Sequence, residues 1–287
     1  MRGAGQASTL GAIMGWTFAL ASRDPNLVGC VLQALHLQAP LIPSEPVASL
    51  GIGYYVDGEP LLERQPTLRA PVDLSVLAGD IDSEFLLAHA GPPGSSSKDE
   101  NTQPFRFRSW LFAHAGELPG FAEVRSALHH ALPPFWQGHR IGDTPSEYVF
   151  LHVLKRLREH TGLDPHDLAP GPLGAALREG IADVEQVLRD RGEPRAPTFS
   201  CVLTNGQSVA VLRAGRACSY RLMEGLVPCT RCGIDARTPE QHPTLRQHRQ
   251  MRAVAFVTDA QRPGFSPVTD RSVITISPKL ELKMEPL

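Results

Sequence analysis

Two dipeptides constrain this chain most: Asp57-Gly58 and Asn205-Gly206, each set between runs rich in apolar, β-branched and aromatic residues. Asn, Asp and Gly tolerate the positive φ that a two-residue hairpin turn demands, so each dipeptide predicts an antiparallel strand pair. The pairs fall at 50–56 with 61–64 and at 199–204 with 208–213, the second as a type I′ hairpin. Short apolar runs predict further strands at 13–21, 84–89 and 107–114, then at 218–223, 252–257 and 272–276. Helical periodicity predicts a helix at 25–36, and three more at about 118–132, 144–161 and 173–191. Strands, then helices, then strands is an order that favours layered α+β packing over alternating βαβ units.

Helix starts are written locally. Pro25 suits a first helical position. Thr144-Pro145-Ser146-Glu147 is a capping box, with Thr144 as cap, Pro145 in the first turn and Glu147 reaching back. A formal net charge of −2 over 287 residues gives no electrostatic reason to expect nucleic acid or an anionic membrane as partner. Arg106-Phe107-Arg108 is too short a basic stretch to change that. No apolar run reaches the roughly 18 residues of a bilayer span. The run 10–21 imitates a signal-peptide core, but with only Arg2 before it and Gly11 and Gly15 within it, it reads better as a buried first strand. Five cysteines are an odd number in a long chain and argue for a reducing, cytoplasmic setting. Residues 1–13 read as a small-residue extension, and 14–287 as one domain.

Chemistry is concentrated elsewhere. Asn101-Thr102-Gln103-Pro104-Phe105 is followed by a strand that ends Phe112-Ala113-His114-Ala115-Gly116. Upstream stand Met14-Gly15-Trp16, the stretch Gly51-Ile52-Gly53-Tyr54-Tyr55, and His89-Ala90-Gly91. Downstream are Gly142-Asp143-Thr144-Pro145-Ser146-Glu147 and Phe199-Ser200-Cys201-Val202-Leu203-Thr204-Asn205-Gly206. Together these segments resemble the class II glutamine amidotransferases, whose amino-terminal cysteine releases ammonia from glutamine. The resemblance implies a four-layer αββα sandwich of two antiparallel sheets, the N-terminal-nucleophile hydrolase fold.

It also implies what has changed. The family's nucleophilic cysteine aligns with Gly15, which has no side chain to attack with, and neither Met1-Arg2 nor Met14-Gly15 offers a thiol. The oxyanion-hole Asn aligns with Ala115, whose methyl cannot donate a hydrogen bond, while the neighbouring Gly116 is kept. Losing one such donor costs on the order of 10²–10³ in rate. The arginine that clamps the substrate carboxylate aligns with Gly91, and the aspartate that binds its ammonium with Pro145. Turn and cap residues persist, while every position that should bind or attack glutamine has changed.

The sequence thus predicts a degenerate member, inactive toward glutamine. It would serve as a binding or regulatory module whose former pocket, with His89 and His114 on its wall, takes another ligand or a protein segment. A rival reading is an amidohydrolase remodelled for another amide, using Thr17, His89 or His114, or a metal at Cys229 and Cys232. Cys229 and Cys232, with His242 and His248 downstream, have spacing compatible with a structural zinc, against two free thiols in a turn as the plainer account. No other cofactor is expected. Cys30 lies in a helical pattern beside Leu27 and Val31 and reads as a core residue.

Overall fold

Side chains on successive strand residues point to opposite faces, so a strand buried along its whole length must be covered on both sides. Strand β1 (Trp16–Ser22) is such a strand, all seven residues buried. Its even-numbered residues Phe18 and Leu20 pack under a helix, while Ala19 and Ala21 face a second sheet. A computed structural model describes residues 15–43, 46–93, 98–162, 169–258 and 262–287 of the chain. The expected extension 1–13 and Met14 lie outside these residues.

The elements that follow β1 are α1 (Val28–Gln38), the hairpin β2 (Ser49–Val56) and β3 (Glu59–Gln65), short α2 (Leu74–Leu77) and β4 (Phe85–Gly91). Next come β5 (Phe105–Phe107), β6 (Trp110–Glu117), α3 (Phe121–His130), α4 (Pro134–Gln137), α5 (Pro145–Thr161) and α6 (Pro170–Asp190). The chain continues with β7 (Thr198–Thr204), β8 (Val209–Ala214), β9 (Ser219–Glu224), α7 (Pro243–Gln250) and β10 (Arg252–Val257). It closes with β11 (Ser266–Pro267), β12 (Ser272–Ile276) and β13 (Leu282–Pro286).

One sheet runs β11-β9-β10-β1-β4-β2-β3, the other β13-β12-β8-β7-β6-β5, and every pairing is antiparallel. Between the sheets lie Ala19, Phe85, Leu87, Leu111, Ala113, Val202, Val211, Phe256 and Ile274. The outer face of the first sheet packs on α1, and that of the second on α3, α5 and α6. These are the four layers of an αββα sandwich. Helices α5 and α6 approach closely at Gly180, where an added Cβ would sit 2.7 Å from the Val153 Cα. Asp183 fixes the same pair by accepting from Lys155 and Arg156.

Two turns differ from the sequence reading. Asp57 and Gly58 both take positive φ, as a tight hairpin requires. At Asn205-Gly206 only the glycine does, and the type I′ hairpin is replaced by a longer loop in which Asn205 Oδ1 accepts from the Gln207 and Ser208 N–H groups. An Asx turn satisfies those donors without placing Asn205 in the left-handed region. The strand expected at 107–114 is also broken, because Arg108, at φ 53°, turns the chain between β5 and β6.

Candidate functional site

Strand β4 carries His89 and strand β6 carries His114 and Ala115 to the same end of the sandwich as Gly15, just before β1. Register brings them into contact range: Thr17 pairs with His89 across β1 and β4, and Ala115 with Ser200 across β6 and β7. Alternation turns Thr17, His89, Ala115 and Ser200 toward the space between the sheets, while His114 points to the helical side and bonds Ser146 of α5. Six groups separated by up to 185 positions thus converge.

The centre of the cluster is Gln103, which the sequence reading treated only as a turn position. Its Oε1 accepts the His114 backbone N–H at 2.7 Å, which fixes the amide orientation. The amide nitrogen then donates to the His114 carbonyl at 3.1 Å and faces His89 Nε2 at 3.3 Å. Because that nitrogen is a donor only, His89 Nε2 must be the acceptor, and His89 is the neutral Nδ1–H tautomer. His114 Nε2 lies 3.3 Å from the Thr198 carbonyl, which can only accept, so His114 carries its proton there. Its Nδ1 then accepts a hydrogen bond from the Ser146 hydroxyl at 3.0 Å.

Burial agrees with neutral rings. His89 is 5% exposed and His114 fully buried. Desolvation, with the neighbouring His114, lowers the His89 pKa to about 3. Desolvation lowers that of His114 to about 4 against a small opposing contribution from the Thr198 carbonyl. Thr17 Oγ1 and Ser200 Oγ are buried there without a hydrogen-bond partner among the described residues.

Gly15 sits against this network with φ +74°, and a Cβ built on it would lie 2.4 Å from His89 Nε2. The imidazole therefore occupies the space a side chain at position 15 would need. Gly91 ends β4 two residues beyond His89, buried. Pro145 opens α5 beside Ser146, and the Thr144 hydroxyl caps that helix by accepting the Glu147 N–H. A cleft of about 850 Å³, lined in part by Asp57, Glu59, Arg106, Arg108 and Asn205, opens at the other end of the strands, near the β2–β3 turn.

The motif residues that the resemblance singled out hold one another. Asn101 donates from Nδ2 to Asp143 Oδ1 at 2.8 Å and accepts the Asp143 N–H at 3.0 Å. Glu147 Oε1 reaches back past Thr144 to accept the Ile141 and Gly142 N–H groups. Gly51 packs on the Gln103 carbonyl so closely that a Cβ would stand 2.1 Å from it. The Gly51, Asn101 and Gly142 segments are thus packed and bonded into one scaffold.

On the outer face of the first sheet the structure gathers Cys229, Cys232 and His248 with Cys30, and His242 is not in the group. His242 is exposed at the start of α7, and Cys30 of α1 takes the fourth place. Periodicity placed Cys30 in the core, which is correct for its burial but hid its neighbours, about 200 residues away.

With this geometry in view, the chain matches the class-II glutamine amidotransferases over residues 46–224, and it belongs to that family. No curated protein matches it in sequence. Among solved structures it is similar to a glutamine aminotransferase class-II domain protein from Silicibacter pomeroyi, at 20% identity and a TM-score of 0.59, covering 95% of this chain and 99% of that one. A predicted glutamine amidotransferase from Pseudomonas aeruginosa PA01 is 16% identical with a TM-score of 0.54, covering 95% and 96%. Glutamine phosphoribosylpyrophosphate amidotransferase from B. subtilis is 13% identical with a TM-score of 0.53, over 94% of this chain and 49% of that one. These likenesses establish the fold. Among the described residues no helix is long and apolar enough to cross a membrane.

Proposed function

We propose that this chain is a class II glutamine amidotransferase-fold protein that does not hydrolyse glutamine and acts as a binding or regulatory module. One observation carries the reading: the His89 imidazole fills the volume that a nucleophile's side chain at position 15 would require. The substitutions support it. Gly91 and Pro145 offer neither the cation nor the anion that would grip an amino acid's two charged ends, and Ala115 offers no side-chain donor. A ligand or partner segment that enters the former pocket would meet the His89–Gln103–His114 network.

The remodelled-amidohydrolase reading draws on Thr17, whose hydroxyl lies unpartnered opposite His89. Against it, Thr17 is 2% exposed and His89 has an imidazole far less basic than a general base near neutral pH needs. Thermal unfolding with glutamine, glutamate and asparagine tests the proposal, because any ligand that binds only the folded state raises Tm. We expect no shift at millimolar concentrations of any of the three. A saturable rise with glutamine would show that the pocket still grips its ancestral substrate and would overturn the reading.

A further inference from the structure

The group formed by Cys30, Cys229, Cys232 and His248 lies on the outer face of the first sheet, away from the His89 network, and its chemistry is independent of that network. Its four ligand atoms lie within 4.8 Å of one another. Cys30 Sγ and Cys232 Sγ are 3.5 Å apart. A tetrahedral zinc with Zn–S bonds of about 2.3 Å places sulfurs roughly 3.8 Å apart, so closing on an ion needs only tenths of an ångström of adjustment there.

The histidine supplies a second, separate observation. His248 is fully buried, and its Nδ1 lies 2.8 Å from the Thr244 carbonyl one helical turn earlier. A carbonyl only accepts, so Nδ1 holds the proton and Nε2 carries the lone pair. That Nε2 is buried without a hydrogen-bond partner among the described residues. A buried imidazole oriented by a backbone carbonyl, with its other nitrogen unsatisfied beside three thiols, has the form of a metal-ligating histidine.

We propose that Cys30, Cys229, Cys232 and His248 bind one structural zinc ion. Binding replaces three thiol protons with the metal, and three thiolates with a neutral imidazole leave the centre with one net negative charge. All four positions are filled by protein, which leaves no open site for substrate and makes the ion structural rather than catalytic. Three cysteines favour zinc over magnesium, calcium or manganese, which prefer oxygen.

The fold gives such an ion something to do. The 225–250 segment between β9 and β10 puts few apolar side chains into the core, among them Leu226, Ile234 and Leu245. The Cys229–Ile234 turn closes through two backbone bonds, and Arg231 reaches Asp80 near α1. Zinc would fasten that turn and α7 to α1, supplying the cross-link that the small core lacks.

The test is elemental analysis of the full chain purified under reducing conditions without added chelator, repeated after incubation with zinc and desalting. We expect about one zinc per chain, retained in His242→Ala and Cys218→Ser and lost in His248→Ala and Cys232→Ser. Cobalt substituted into the wild-type chain should give the visible d–d bands of a tetrahedral thiolate site. Because the wild-type measurement does not depend on how any variant folds, a folded wild-type chain that takes up no zinc overturns the proposal. So does a zinc content that survives His248→Ala but falls in His242→Ala, and so does a Cys30–Cys232 disulfide recovered under these conditions in place of the metal.

Discussion

Between pH 8 and pH 5 the protein is expected to lose about 4 kcal/mol of unfolding free energy through His89 and His114. Unfolded, each imidazole takes its proton near pH 6.5. Folded, burial delays protonation to about pH 3 for His89 and about pH 4 for His114. A folded pKa depressed below the unfolded value means that stability is fully present above pH 6.5 and is lost as pH falls toward those values. The unfolded chain binds the extra protons over this window, so each ring costs about 1.4 kcal/mol per pH unit below 6.5. At pH 5 that amounts to about 2 kcal/mol per histidine.

Asp183 does not offset this. Burial alone would raise its pKa, but the neighbouring His152 imidazole and hydrogen bonds from Arg156 and Lys155 hold it below the usual carboxylate range, so it stays ionised throughout. Urea titrations across the pH series read the effect directly. His89→Gln should retain only about half the loss, and a wild-type stability flat from pH 8 to pH 5 would show that both rings are solvated, with pKa values that folding leaves unchanged.

Gln103→Ala is expected to cost about 4 kcal/mol, because it strands three buried groups at once, each worth roughly 1–3 kcal/mol and not strictly additive. The His114 N–H, the His114 carbonyl and His89 Nε2 all lose their partner. Gln103→Glu separates the amide's two halves. Its carboxylate can still accept from the His114 N–H but cannot donate to the carbonyl or, while ionised, to His89. We therefore expect Gln103→Glu to raise the His89 pKa, by pairing a carboxylate with an imidazole that would then gain from a proton. NMR titration of the imidazole checks this. A Gln103→Ala protein within 1 kcal/mol of wild type would mean that water replaces the amide and that the closed network is not what holds this end of the sandwich.

Much of this architecture is legible from residues. Asp57-Gly58 predicted a hairpin because both positions need positive φ, and both have it. The apolar patterning of β10 and β12 gave their bounds directly, since both lie in the buried interior of a sheet. Helix α7 was missed because Pro243–Gln250 is polar around most of its circumference, and its buried residues are Leu245 and His248. One of those is a candidate metal ligand, which hydrophobic periodicity does not count.

The site was legible only in outline. Resemblance proposes Gly15, Gly91, Ala115 and Pro145 as altered positions, from the motifs around them. It did not show that His89 turns into the gap beside Gly15, since a histidine 74 positions away leaves no local sign of its rotamer. Gln103 was hidden for a related reason, as its role depends on three partners brought in by two other segments. The Cys30 contact with Cys232 crosses 202 positions and is visible only once α1 lies on the first sheet.

The most direct measurement of the central claim is glutamate release from glutamine by the purified full chain, compared with a heat-inactivated sample. With the space at position 15 filled by His89 and no side-chain donor at Ala115, the expected result is release no greater than the inactivated blank, in the wild type and in Ala115→Asn alike. Glutamate release by the wild type that scales with protein concentration and disappears on heating would contradict it.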